Sequence, residues 1–200
     1  MREILPGILT WTWFSEPHGY DFNGYLVHHP AGNLVVDPVP PGEDGLDEMA
    51  RAGVASIVLT NRNHSRAANA VRERTGARTL MHAADAAFAR GQGAVIDGEL
   101  TVGGPVGPFT VVAAAGKSPG EVALHWPQRR LLVVGDAVIG NPPGHCALLR
   151  EKVMDDPAAL RLSVRKLLDL DFDALLLGDG TPILEGAKGR LAELVASFGA

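Results

Sequence analysis

The residues of this chain best suited to chemistry lie in a few short segments. Thr60-Asn61-Arg62-Asn63-His64-Ser65-Arg66 follows an apolar run, Lys117 sits in Gly116-Lys117-Ser118-Pro119-Gly120, Asp136 follows Leu132-Val133-Val134-Gly135, and Asp179 follows Leu176-Leu177-Gly178. His64 offers an imidazole, the side chain able to take and return a proton near neutrality. Paired with the Asp136 carboxylate it would be a general base for water. Arg66 and Lys117 are donors suited to a carboxylate or phosphate, and equally suited to an internal ion pair that Asp136 and Asp179 would balance. Asn61 and Asn63 are either caps on the free amides of a helix start or polar contacts to a ligand. His145, in Asn141-Pro142-Pro143-Gly144-His145, shares no ligand spacing with His18, His28, His29, His82 or His125.

These residues need elements to hold them. Residues 4–14 mix apolar and β-branched types and read as one strand, followed by a polar turn over 15–21. Two apolar runs, 25–29 and 33–37, flank Pro30-Ala31-Gly32, a hairpin signal, and the prolines at 38, 40 and 41 end the second run because proline cannot donate to a ladder. A short helix is expected over 46–52, a buried strand over 54–60, a helix over 65–75 stopped by Gly76, a strand over 79–82 and a helix over 83–90. Later strands are expected over 109–113, 121–126, 131–134 and 174–177. Asp156-Pro157 opens a helix as cap and first-turn proline, with an apolar stripe at Leu160, Val164, Leu167 and Leu168, and an amphipathic helix covers 185–198. Strands and helices in this order suit two sheets with helices outside them.

Composition narrows the function classes. A net charge of −5 without a basic stripe gives no footprint for nucleic acid. The lone cysteine, Cys146, excludes an internal disulfide framework and reads as a small buried hydrophobe. No apolar run reaches the roughly 18 residues of a membrane span, and the first residues carry Glu3 and no signal-peptide core, so a cytoplasmic protein of one domain over residues 1–200 is expected.

Four segments in order resemble the metallo-β-lactamase-fold hydrolases. Gly32-Asn33-Leu34-Val35-Val36-Asp37-Pro38 is similar to that family's strand ending in aspartate. Ile57-Val58-Leu59-Thr60 with residues 61–66 stands where the family has a strand, T-H-x-H-x-D-H and a helix. Gly116-Lys117-Ser118-Pro119-Gly120, then Gly135-Asp136, resemble its G-H-[ST]-x-G turn and G-D. Gly178-Asp179-Gly180 is similar to its late G-H-G. The resemblance implies a four-layered αββα sandwich.

In the family these motifs bring histidines and aspartates to two metal ions, often zinc. Here the aligned residues are Asn61, Asn63, Ser65, Arg66, Lys117 and Asp179; only Asp136 keeps the family type, and His64 falls between ligand positions. An ammonium or guanidinium cannot bind zinc. The resemblance therefore implies that Arg66, Lys117, Asp136 and Asp179 form a salt-bridge cluster in place of metals, with Arg66 in the first turn of its helix needing a carboxylate against the macrodipole. It also places His145 in a loop overhanging the cleft. Residues 60–66 are similar to a subgroup of the fold carrying T-N-x-x-H-x-R.

The expected function is a metal-independent binding protein or pseudoenzyme holding a small anionic or polar molecule. The alternative is a hydrolase with a rebuilt site. It would use either His64 and Asp136 without metal, or one divalent ion held by His64 and the two aspartates. A third possibility is an interaction protein with a filled cleft.

Overall fold

The structure, a computed structural model, describes residues 1–199. Internal contacts divide the chain into two compact units, Met1–Leu100 and the part from Thr101 onward.

The first unit begins with β1 (Arg2–Leu5), β2 (Ile8–Ser15), β3 (Tyr20–Val27) and β4 (Asn33–Val36), and continues through α1 (Gly42–Ala52), β5 (Val54–Leu59), α2 (Ala68–Thr75), β6 (Arg78–His82), α3 (Ala83–Gly91) and β7 (Gly98–Leu100). Its seven strands pair in chain order, β1 to β4 antiparallel and β4 to β7 parallel. The expected single strand over 4–14 is two strands, because Pro6 and Gly7, the latter at φ +71°, turn the chain. Strand alternation sends Leu26, Val35, Ile57, Leu59 and Met81 to one face, where they cluster with Met49 of α1, Val71 of α2 and Ala89 of α3. Leu34, Val36 and Val58, on the opposite face, are buried as well. Trp11 donates its Nε1–H to Val39 O at 2.8 Å. Any side chain at Gly24 would overlap that indole, so the glycine is what admits it.

The second unit contains β8 (Pro105–Val106), β9 (Phe109–Ala113), β10 (Val122–Trp126), β11 (Leu131–Val134), α4 (Pro157–Leu167), β12 (Ala174–Leu177) and α5 (Ala187–Ala196). The sheet order is β12-β11-β10-β9-β8, antiparallel except for the parallel pair β11–β12. Leu160, Val164 and Leu167 of α4 and Leu191 of α5 pack with Leu132, Val134, Leu175 and Leu177. Asp156 caps α4 by accepting from Ala159 N at 2.9 Å. Both units are thus α/β, a sheet with helices packed on it. Among the described residues no helix is long and apolar enough to cross a membrane.

The turn that carries Lys117 is tied to α4. Gly116 O accepts from Asp156 N at 2.8 Å, Lys117 O from Asp155 N at 3.3 Å, and Ala115 O from the Ser163 hydroxyl at 2.7 Å. Gly116 has φ +142°, and a side chain there would overlap the Leu160 backbone. Gly116→Ala therefore combines a left-handed-side backbone with a clash that neither partner can relieve. It should destabilise the protein by about 3 kcal/mol or more, read as a lower urea midpoint. A change below about 1 kcal/mol would mean that the turn can leave α4 freely.

Candidate functional site

In the first unit the chemistry gathers where two parallel strands end. The register pairs Val36 of β4 with Val58 of β5, and Asp37 N donates to Val58 O at 3.0 Å. Asp37 then turns at φ +48°, one of two non-glycine residues with positive φ among those described. Its buried carboxylate accepts from Thr60 N at 2.8 Å and from the Thr60 hydroxyl at 2.6 Å. The third neighbour is His64, whose Nδ1 lies 2.9 Å from Asp37 Oδ2. His64 has no exposed surface.

The rest of the segment is a run of turns. Asn61 Oδ1 accepts from Asn63 N at 2.8 Å, an Asx turn, and His64 N donates to Asn61 O at 3.2 Å. Arg62 N donates to the Asp85 carboxylate at the start of α3 at 2.8 Å. Two expectations need correction here. Helix α2 starts at Ala68 after Ala67, which provides no side-chain cap, so neither Asn61 nor Asn63 caps it. Arg66 precedes the helix, so the macrodipole does not bear on it in the way expected. Its guanidinium lies 4.1 Å from the Phe22 ring centroid, a cation–π contact. The local cause is that Asn61 and Ser65 bond within the turn, Ser65 O accepting from Ala68 N at 2.8 Å, which delays the helix.

The second unit repeats the placement. The parallel register pairs Val134 of β11 with Leu177 of β12, so Asp136 and Asp179 each stand two residues beyond a paired strand end. Gly178 N donates to Val134 O at 2.9 Å, extending the pairing. Gly140 N donates to Asp179 O and Gly140 O accepts from Thr181 N, both at 2.9 Å, and a side chain at Gly140 or Gly180 would strike that backbone. Strand β10 is antiparallel to β11, so the loop before it, with Lys117, reaches the same end of the sheet. There Lys117 Nζ lies 3.0 Å from Asp136 Oδ2, with side chains 9% and 7% exposed. Asp179 is buried, whereas His145 is exposed in its loop, its amide donating to Pro142 O at 3.1 Å.

Asp37 and Thr60 have no site role in the sequence reading. The signal was present: a carboxylate closing a buried apolar run and a hydroxyl closing the next. The family's two-metal arrangement does not fit the donors present. The ammonium of Lys117 is bonded to the one aspartate retained, Asn61 uses its carbonyl oxygen within its own turn, and Arg66 is directed to a ring. His64, Asp136 and Asp179 remain buried residues of the types that can hold a cation. Cys146 is half-buried against the α4–α5 core, and its thiol is pushed up to about 11, by burial first, with Glu193 adding and Arg190 opposing.

A family model described as the metallo-beta-lactamase superfamily matches residues 2–198. No curated protein is a significant match. Among solved structures, the chain is similar to TTHA1623 in a di-iron-bound form, with 25% identity, TM-score 0.70, and 90% of this chain and 98% of that chain covered. It is also similar to a metallo-β-lactamase from Erythrobacter litoralis carrying β-mercaptoethanol in its active site, with 18% identity, TM-score 0.77 and coverage of 98% and 96%. A third is the DIM-1 metallo-β-lactamase exposed to ceftazidime, with 15% identity, TM-score 0.78 and coverage of 99% and 96%.

Two measurements follow from this geometry. Lys117→Met and Asp136→Asn should each cost about 3–5 kcal/mol, since each strands a buried charge. The double variant should cost less than the sum, with a coupling above about 1 kcal/mol in a denaturation cycle; additive costs near zero would mean that the pair is open to solvent. Cys146 should react with iodoacetamide far more slowly at pH 7 than a free thiol does, because the thiolate is the nucleophile. Labelling at the rate of glutathione would contradict the burial.

Proposed function

The chain belongs to the metallo-β-lactamase superfamily, and we propose that within it this protein works without a two-metal centre, as a binding protein or pseudoenzyme for a small anionic or polar molecule. The observation that supports this reading is the buried Lys117–Asp136 pair at 3.0 Å. A carboxylate bonded to an ammonium is a poor metal ligand, and the ammonium supplies the positive charge that a metal would otherwise bring. Lys117, Arg66, Asn61, Asn63 and Asp179 are the residues proposed to meet the ligand, with His145 at the edge. Nucleic acid is not a proposed partner, given the charge of −5.

A second reading rests on a different observation. His64 is backed by a carboxylate, the arrangement that prepares an imidazole either as a base or as a metal ligand. On that reading the protein is a hydrolase with a rebuilt site. His64 either takes a proton from water or joins Asp136 and Asp179 around one divalent ion, and Lys117 or Arg66 stabilises the developing oxyanion. A bound divalent ion would supply Lewis acidity and lower the pKa of water.

Elemental analysis after dialysis, combined with thermal unfolding in inorganic phosphate and in acetate, separates these readings. The first expects no stoichiometric metal ion and a rise in Tm of roughly 5–10 °C at about a hundred times Kd, with the rise lost in Lys117→Met relative to its own Tm. About two metal ions per chain, or turnover near roughly 10 per second on a β-lactam, a lactone or a glutathione thioester, would overturn it. No response to either anion would remove the anion-binding part. One metal ion per chain, lost in His64→Gln, would favour the second reading.

A further inference from the structure

The buried group around His64 contains more donors and acceptors than a packing histidine needs, and their roles can be worked out one by one. Asp37 Oδ1 takes the Thr60 amide proton at 2.8 Å, and Asp37 Oδ2 takes the Thr60 hydroxyl proton at 2.6 Å. A threonine hydroxyl has a single proton. With that proton given to Asp37, the Thr60 oxygen can only present a lone pair to His64 Nδ1, 3.3 Å away. The other neighbour of Nδ1 is Asp37 Oδ2 at 2.9 Å, an acceptor when ionised. Both of these groups are therefore acceptors toward Nδ1, and the proton between the ring and the carboxylate belongs to the ring nitrogen.

The backbone is shaped to make this contact. Asp37 stands at φ +48° directly before Pro38, a conformation that L residues before proline seldom take. The turn carries its carboxylate across the end of β4 to the end of β5, while Asp37 N keeps its bond to Val58 O. Asp37 and His64 are 1% and 0% exposed, so water does not compete for these bonds.

We infer that Asp37 is the positioning residue of His64: its carboxylate holds the Nδ1 proton, so that Nε2 is the ring nitrogen that keeps a lone pair. The consequence for either function reading depends on His64 belonging to the working centre. As a base, His64 would accept a proton at Nε2 while the Asp37 carboxylate stabilises the charge arriving on the ring. In a binding protein, Nε2 would orient the polar atom it meets. The tautomer itself depends on neither reading.

The test uses the full-length protein labelled with 15N-histidine, and long-range 1H–15N correlation to read each ring nitrogen, with His64→Gln identifying the His64 signals. The wild type is expected to show Nδ1 of His64 protonated at neutral pH. In Asp37→Asn the new amide NH2 can donate to Nδ1, so the proton should leave Nδ1 for Nε2 while the rest of the spectrum keeps its folded pattern. An unprotonated Nδ1 in the wild type, or a folded Asp37→Asn protein whose Nδ1–H persists, would overturn the inference. Should Asp37→Asn not fold, Thr60→Val decides alongside the wild type. It leaves the Asp37 carboxylate facing Nδ1 and should keep the proton there; a folded Thr60→Val protein whose proton has moved to Nε2 would mean that the threonine and not Asp37 sets the tautomer, and would overturn the inference. Phosphate binding measured on the same wild-type sample tests the function reading separately, so either can fail alone.

Discussion

A carboxylate cannot stay ionised in a protein interior unless donors replace the water it has lost. Asp37, Asp136 and Asp179 are 1%, 5% and 3% exposed, and much of the local architecture of each unit answers that demand. Asp37 is met by the amide and hydroxyl of Thr60 and by the ring of His64. Asp136 is met by the ammonium of Lys117. These donors come from loops, and a loop can supply a buried bond only if it is itself held. That is the role of the close approaches at Gly116 against Leu160 and at Gly140 against Gly180, where backbone meets backbone and any side chain would intrude.

The same logic places the chemistry at the ends of parallel strands. Antiparallel neighbours such as β2 and β3 are joined by a tight turn, which leaves little chain to carry function. Parallel neighbours need a crossover, and the segment leaving each strand is free to present side chains, as at the ligand crevices of α/β sheets generally. Asp37 and Thr60 leave β4 and β5 in this way, and Asp136 and Asp179 leave β11 and β12. Each unit thus sets an acid at a strand end and bonds it to a nitrogen base from a neighbouring loop.

Membership of the metallo-β-lactamase superfamily rests on a family model that matches residues 2–198. Structures with 15–25% identity share the fold across nearly the whole chain. The scaffold tolerates this because strand pairing and apolar burial do not depend on which side chain ends a strand, whereas metal chemistry depends on little else. A lysine bonded to an aspartate satisfies the electrostatics of a buried anion as a metal would, with different chemical capacities.

The amino-acid sequence by itself determined the local features. Apolar runs bounded by turn residues delimited β9, β11 and β12 as they are found, and Asp156-Pro157 marked the start of α4. Its motif order was also enough to suggest the fold family. It lost the short strands β7 and β8, which carry too few residues for a period to show, and it ran one strand through Pro6 and Gly7. It set Asn61 and Arg66 at a helix start that lies farther on, at Ala68, because competing turn bonds within 61–68 are decided by side-chain geometry that composition does not reveal. The tertiary structure alone decided that Asp37 reaches His64. That contact joins two strand ends through a parallel register and a left-handed turn, and neither leaves a periodic trace in the residues between them.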